Sequence, residues 1–63
     1  MKLIKLKEVI EMTTLSKATI YRLMSKGAFP RAAPLGARAV AWKQSDVIEW
    51  IDSKVSAREE VSS

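Results

Sequence analysis

Residues 16–27 read Ser-Lys-Ala-Thr-Ile-Tyr-Arg-Leu-Met-Ser-Lys-Gly, and this stretch decides the fold. It is a short helix with a written start and stop. The Ser16 hydroxyl can accept a free backbone N–H of the first turn, and Gly27 can adopt the left-handed conformation that ends a helix. Ile20, Leu23 and Met24 fall on one face, while Lys17, Ala18, Thr19, Arg22, Ser25 and Lys26 cover much of the remainder, without an acid among them. Upstream, Leu6, Val9 and Ile10 mark the inner face of another short helix, from about residue 6 or 7 to 12, and Met12-Thr13-Thr14-Leu15 makes the turn. Two short helices joined tightly, the second basic outside and apolar inside, predict a helix-turn-helix whose second helix, residues 16–26, enters the DNA major groove.

Downstream the periodicity changes. Residues 28–31 (Ala-Phe-Pro-Arg) read as extended, with Pro30 permitting only an edge strand. Residues 32–37 contain Pro34 and Gly36 and read as a loop, and in residues 38–42 Val40 and Trp42 alternate onto one face as in a half-buried strand. Two extended pieces around a Pro/Gly loop predict a β-hairpin, a wing over residues 29–42. A third helix should start near residues 43–46, with Ser45 as N-cap and Asp46 and Glu49 at the positive end of its dipole. Neither Ser16 nor Ser45 has Glu or Gln three residues on, so neither forms a capping box. Val47, Ile48, Ile51 and Val55 share one side, with Trp50 at its edge, and should lie on the first two helices. After Leu3-Ile4 as an extended lead-in, the expectation is one domain over residues 1–55. Its fold class is mainly α with a small β-hairpin, a three-helix winged helix-turn-helix. Residues 56–63, polar and without apolar period, are expected to be a disordered tail.

Charge is distributed by segment. Residues 1–16 carry a net +1, residues 17–43 a net +6 with no acidic side chain, and residues 44–63 a net −3, together the +4 of the whole chain. A basic block that coincides with the second helix and the wing is the footprint of a polyanion-binding face. A solvated basic face with no partner is the plain alternative.

With 63 residues there is little core to spare, so stability must come from two tryptophans, one phenylalanine and the aliphatics. The absence of cysteine and histidine removes disulfides and leaves only carboxylates for a zinc site, so no metal and no cofactor is expected. The initial apolar run is too short for a signal peptide or a membrane span, and a soluble, intracellular protein is expected. No Walker-type phosphate loop is present, and nothing beside Ser16 and Lys17 would make a nucleophile, so the expected class is a binding protein rather than an enzyme.

The individual residues resemble a known family. Leu6-Lys7-Glu8-Val9, the run Leu15-Ser16-Lys17-Ala18-Thr19-Ile20-Tyr21-Arg22-Leu23 and Gly27-Ala28-Phe29-Pro30 carry the first half of the likeness. Leu35-Gly36-Ala37-Arg38-Ala39-Val40-Ala41-Trp42 and Ser45-Asp46-Val47-Ile48-Glu49-Trp50-Ile51 carry the second. Over about residues 3–54 the chain resembles the AlpA family of prophage regulatory proteins, small relatives of phage excisionases with a MerR-like winged helix-turn-helix. The resemblance implies DNA binding, transcriptional control of phage or prophage genes, and sometimes a role in excision. Two departures stand out. Family members often carry glycine where this chain has Thr14; if φ is positive there, threonine costs of order 1 kcal/mol. The loop is also less basic than expected, with Ala32, Ala33 and Ala37, which leaves its contacts to Arg31 and Arg38.

The candidate DNA-binding residues are therefore Ser16, Lys17, Ala18, Thr19, Tyr21, Arg22, Lys26, Arg31, Arg38 and Lys43. Arg22, at the centre of the exposed side, can reach guanine O6 and N7, or alternatively a phosphate, Glu8 or Glu11. Ala18 can meet a thymine methyl, and Thr19 a base or phosphate; both also suit a plain helix start. Tyr21 can pack its ring on the wing stem and direct its hydroxyl to a phosphate. Arg38 suits a phosphate or the minor groove. Phe29, Ile20, Trp42 and Trp50 are read as core. The function expected is sequence-specific transcriptional regulation. The rivals are an excisionase-like factor that bends DNA for a recombinase, and a protein-interaction adaptor that no longer binds DNA. Expected partners are double-stranded DNA, with a second copy on adjacent sites or an integrase beside it, and neither a membrane nor a small-molecule ligand.

Overall fold

The computed structural model describes the backbone of residues 1–62 and the side chains of residues 1–57. Six elements follow in chain order: β1 (Leu3–Ile4), α1 (Leu6–Thr13), α2 (Lys17–Ser25), β2 (Ala33–Pro34), β3 (Val40–Lys43) and α3 (Gln44–Ser62). The strands form an antiparallel sheet in the order β1-β3-β2, with Ile4 opposite Trp42 and Ala33 opposite Ala41. The fold is mainly α with a small sheet, a winged helix-turn-helix.

α1 buries Val9 completely and rests Leu6, Ile10 and Met12 on the core. It ends at Thr14, which sits at φ 61° and ψ 15° and donates its N–H to the Ile10 carbonyl at 2.8 Å. The conformation that the turn requires is thus left-handed, and a β-branched residue supplies it. Thr13 stitches the same corner: its hydroxyl donates to the Val9 carbonyl at 2.8 Å and accepts the Leu15 N–H at 3.3 Å.

α2 begins as its sequence predicts. Ser16 is the N-cap, its Oγ accepting the Thr19 N–H at 3.2 Å. At the other end Gly27 takes φ 72°, donating to Met24 O at 3.0 Å, while the Ala28 N–H reaches Leu23 O at 2.8 Å. These two bonds are a Schellman motif, which satisfies carbonyls that the helix end would otherwise leave unpaired. Ile20 is fully buried, with Leu23 and Met24 packed beside it.

The wing departs from expectation. Residues 28–31 form no strand and bend at Phe29; the first wing strand is β2, inside the segment read as a loop. The cause lies in the two indoles. Trp50 Nε1 donates to the Ala28 carbonyl at 2.8 Å and Trp42 Nε1 to the Pro30 carbonyl at 3.1 Å, so tryptophans occupy acceptors that a strand would need. Phe29 lies between them, 4% exposed and edge-on to Trp50 at 4.8 Å. Pro34 is tolerated because β2 is an edge strand. In β3, Trp42 is buried as expected, but Val40 is 39% exposed and Ala41 is buried. β3 is the central strand, and a side chain as small as Ala41 is hidden by its neighbours.

α3 follows β3 without a loop, so Ser45 is the second helical residue and not the N-cap. The Gln44 N–H bonds to the Lys2 carbonyl at 2.8 Å, extending the β1–β3 ladder into the first helical position. The inward stripe is Val47, Trp50 and Ile51, with Lys54 Nζ 5.5 Å from the Trp50 ring, whereas Ile48 and Val55 are 42% and 50% exposed. α3 rests chiefly on β3 rather than on α1 and α2. Its backbone remains helical to Ser62, through the residues expected to form a disordered tail. No glycine or proline follows Gln44, and extending a formed helix is far easier than nucleating one. Ser63 and the side chains beyond residue 57 lie outside the described residues.

The core that positions everything else is Ile4, Val9, Ile20, Phe29, Trp42 and Val47, drawn from β1, α1, α2, the 28–31 segment, β3 and α3. Trp42, fully buried on the central strand, touches Tyr21 of α2 edge-on at 6.5 Å.

Candidate nucleic-acid interface

Burial of Ile20, Leu23 and Met24 fixes the rotation of α2 and turns its opposite face outward. At 3.6 residues per turn that face centres on Ala18, Arg22 and Ser25, with Lys17 and Tyr21 along one flank and Thr19 and Lys26 along the other. Ala18, Arg22, Lys17 and Lys26 are exposed; Thr19 is half-buried. The Ser16 and Thr19 hydroxyls lie 2.9 Å apart, so both also serve the helix start. The Ser25 hydroxyl bonds back to the Tyr21 carbonyl at 3.2 Å, leaving Arg22 as the long donor at the centre of the face.

Tyr21 lies where α2 meets the sheet. Its ring packs against Trp42, the stem of the wing, and it remains 39% exposed. Arg38 stands in the wing turn, which is closed by the Leu35 N–H bond to the Ala39 carbonyl at 2.7 Å. Between the wing turn and the β1–α1 junction, with Tyr21 on its α2 side, runs an open groove of about 630 Å³. Arg38 borders this groove together with Lys5 and Lys7, two cations that the sequence reading left outside the site. No local signal marked them: Glu8 and Glu11 separate them from the basic block, and only the pairing of β1 with β3 brings them beside the wing. Arg31 and Lys43 are exposed but do not border the groove; Arg31 precedes β2, and Lys43 ends β3 opposite Leu3.

The described residues hold no group of three or more His, Cys, Asp or Glu side chains placed to bind a metal, and no helix among them is long and apolar enough to cross a membrane. The exposed polar side chains around α2 are guanidinium, ammonium and hydroxyl donors.

Residues 2–55 match the family described as Prophage CP4-57 regulatory protein (AlpA). The chain belongs to the AlpA family. The match includes all the elements from β1 to β3 and the part of α3 that packs on the core. Over 55 residues this AlpA-family chain is 38% identical to a protein of Enterobacteria phage P4 named Uncharacterized protein ORF88, covering 87% of this chain and 62% of that protein. The chain thus spans less than two thirds of the length of that relative. A regulatory role is what the AlpA family carries by description.

Proposed function

We propose that this AlpA-family chain regulates transcription by sequence-specific binding to duplex DNA, with α2 in the major groove and the wing on the flanking backbone. The observation that carries the reading is the outward face of α2. Burial of Ile20 aims Ala18 and Arg22 outward, flanked by Lys17 and Lys26, in a 27-residue stretch, 17–43, without an acidic side chain. A helix of this length fits the major groove, where an arginine fork can pair with guanine, and an arginine in the wing turn, Arg38, suits a phosphate.

The test is a salt titration of binding to duplex fragments. With about 4–6 phosphates contacted, log K against log[salt] should slope roughly −4 to −5, at about 0.9 per phosphate. A slope near zero, or no binding at low salt, rejects DNA as the partner and leaves the adaptor reading.

A further inference from the structure

Resting on the DNA-binding reading, we infer that the groove between the β1–α1 junction and the wing turn is the track for one sugar-phosphate strand, and that Lys5 and Lys7 contact its phosphates opposite Arg38. The groove takes up about 630 Å³ beside α2, bordered by Tyr21 on the helix side. A duplex whose major groove receives α2 must carry one of its backbones along a flank of that helix, and Tyr21 on one flank borders this groove. Its charged border is wholly cationic: Lys5 and Lys7 on one side, Arg38 on the other, with no acidic residue among the lining. Lys5 is the N-cap of α1 with no side-chain capping bond, and the positive end of that helix dipole lies beside the two lysines, partly met by Glu8 in the first turn. The apolar part of the lining, Leu3, Leu35 and Val40, is exposed by 43%, 58% and 39% and suits the C–H faces of deoxyribose.

This assignment enlarges the interface from a helix and a wing to a three-sided one, in which the N-terminal strand supplies the third side. It adds positioning contacts, not base readout, because phosphates carry no sequence.

Lysine acetylation of the intact protein, read by mass spectrometry with and without a duplex it binds, tests the assignment without any substitution. Lys5 and Lys7 should lose reactivity in the complex, while Lys54, on α3 against Trp50, should keep it. In parallel, the Lys5→Gln/Lys7→Gln variant should flatten the salt slope by about two units, at roughly 0.9 per contact, and weaken specific and scrambled duplexes alike. Lys54→Gln should leave the slope unchanged, and circular dichroism should show all variants folded. If wild-type binding is steeply salt-dependent yet Lys5 and Lys7 stay as reactive as Lys54 and the double variant keeps the full slope, the groove assignment is overturned and the DNA reading stands. If the wild type binds no duplex, the DNA reading itself fails.

Discussion

Thr14→Gly should stabilise this protein. Thr14 holds φ 61° at the C-cap of α1, the only non-glycine residue at positive φ among the described residues. An L-residue in that region carries a steric penalty of roughly 1–2 kcal/mol from its Cβ against the following carbonyl. Glycine removes the penalty but has about 0.5–1 kcal/mol more backbone entropy to lose on folding. Thr14 is exposed and its hydroxyl bonds only to the adjacent Thr13 carbonyl, so little packing is lost. The net gain is about 0.5–1 kcal/mol, which for a domain of this size raises Tm by roughly 2–8 °C. The reciprocal change is Gly27→Ala. A Cβ at Gly27 would meet nothing within 4 Å, so its effect isolates backbone strain at φ 72° and should lower stability by about 1 kcal/mol. Thr14→Asn should fall between wild type and Thr14→Gly, since asparagine tolerates the left-handed region. The assay is thermal and urea unfolding followed by circular dichroism, with m-values compared to exclude a changed denatured state. A Thr14→Gly protein that melts at or below the wild-type temperature would refute the reasoning, and with it the strained turn.

Trp42→Ala should leave the chain largely unfolded: truncating a fully buried aromatic costs about 3–5 kcal/mol, against a total of roughly 3–9 kcal/mol for a chain this short. A far-ultraviolet spectrum and melt close to wild type would count against Trp42 as the joint between wing and helices. Trp50→Phe keeps the ring against Phe29 but strips the Ala28 carbonyl of its donor, and should cost about 1 kcal/mol by urea unfolding; an unchanged midpoint would show that water replaces the bond. Arg22→Ala should cost about 1–3 kcal/mol on the specific duplex and little on a scrambled one, whereas Arg38→Ala should weaken both and flatten the salt slope by about one unit. Paired titrations separate the two, and a specific-to-scrambled ratio unmoved by Arg22→Ala would remove Arg22 from sequence reading.

The features legible in the sequence are those that short-range chemistry controls. Ser16 and Gly27 bounded α2 because a hydroxyl cap and a left-handed glycine act within a few residues of themselves, and the 3.6-residue spacing of Ile20, Leu23 and Met24 decided which way Arg22 points. The acid-free stretch over residues 17–43 and the core roles of Phe29 and Trp42 were legible for the same reason. The remaining features depend on partners distant in the chain. Residues 28–31 are not a strand because indoles from Trp42 and Trp50 take the carbonyls of Ala28 and Pro30. Ser45 does not cap α3 because the Lys2 carbonyl receives the Gln44 N–H and the helix starts straight from the sheet. The inward stripe of α3 passes through Trp50 and not Ile48 because β3 and the 28–31 segment, rather than α1 and α2, are what it lies against. Lys5 and Lys7 come beside Arg38 only because Ile4 pairs with Trp42 across 38 positions of chain, a contact that no local pattern encodes.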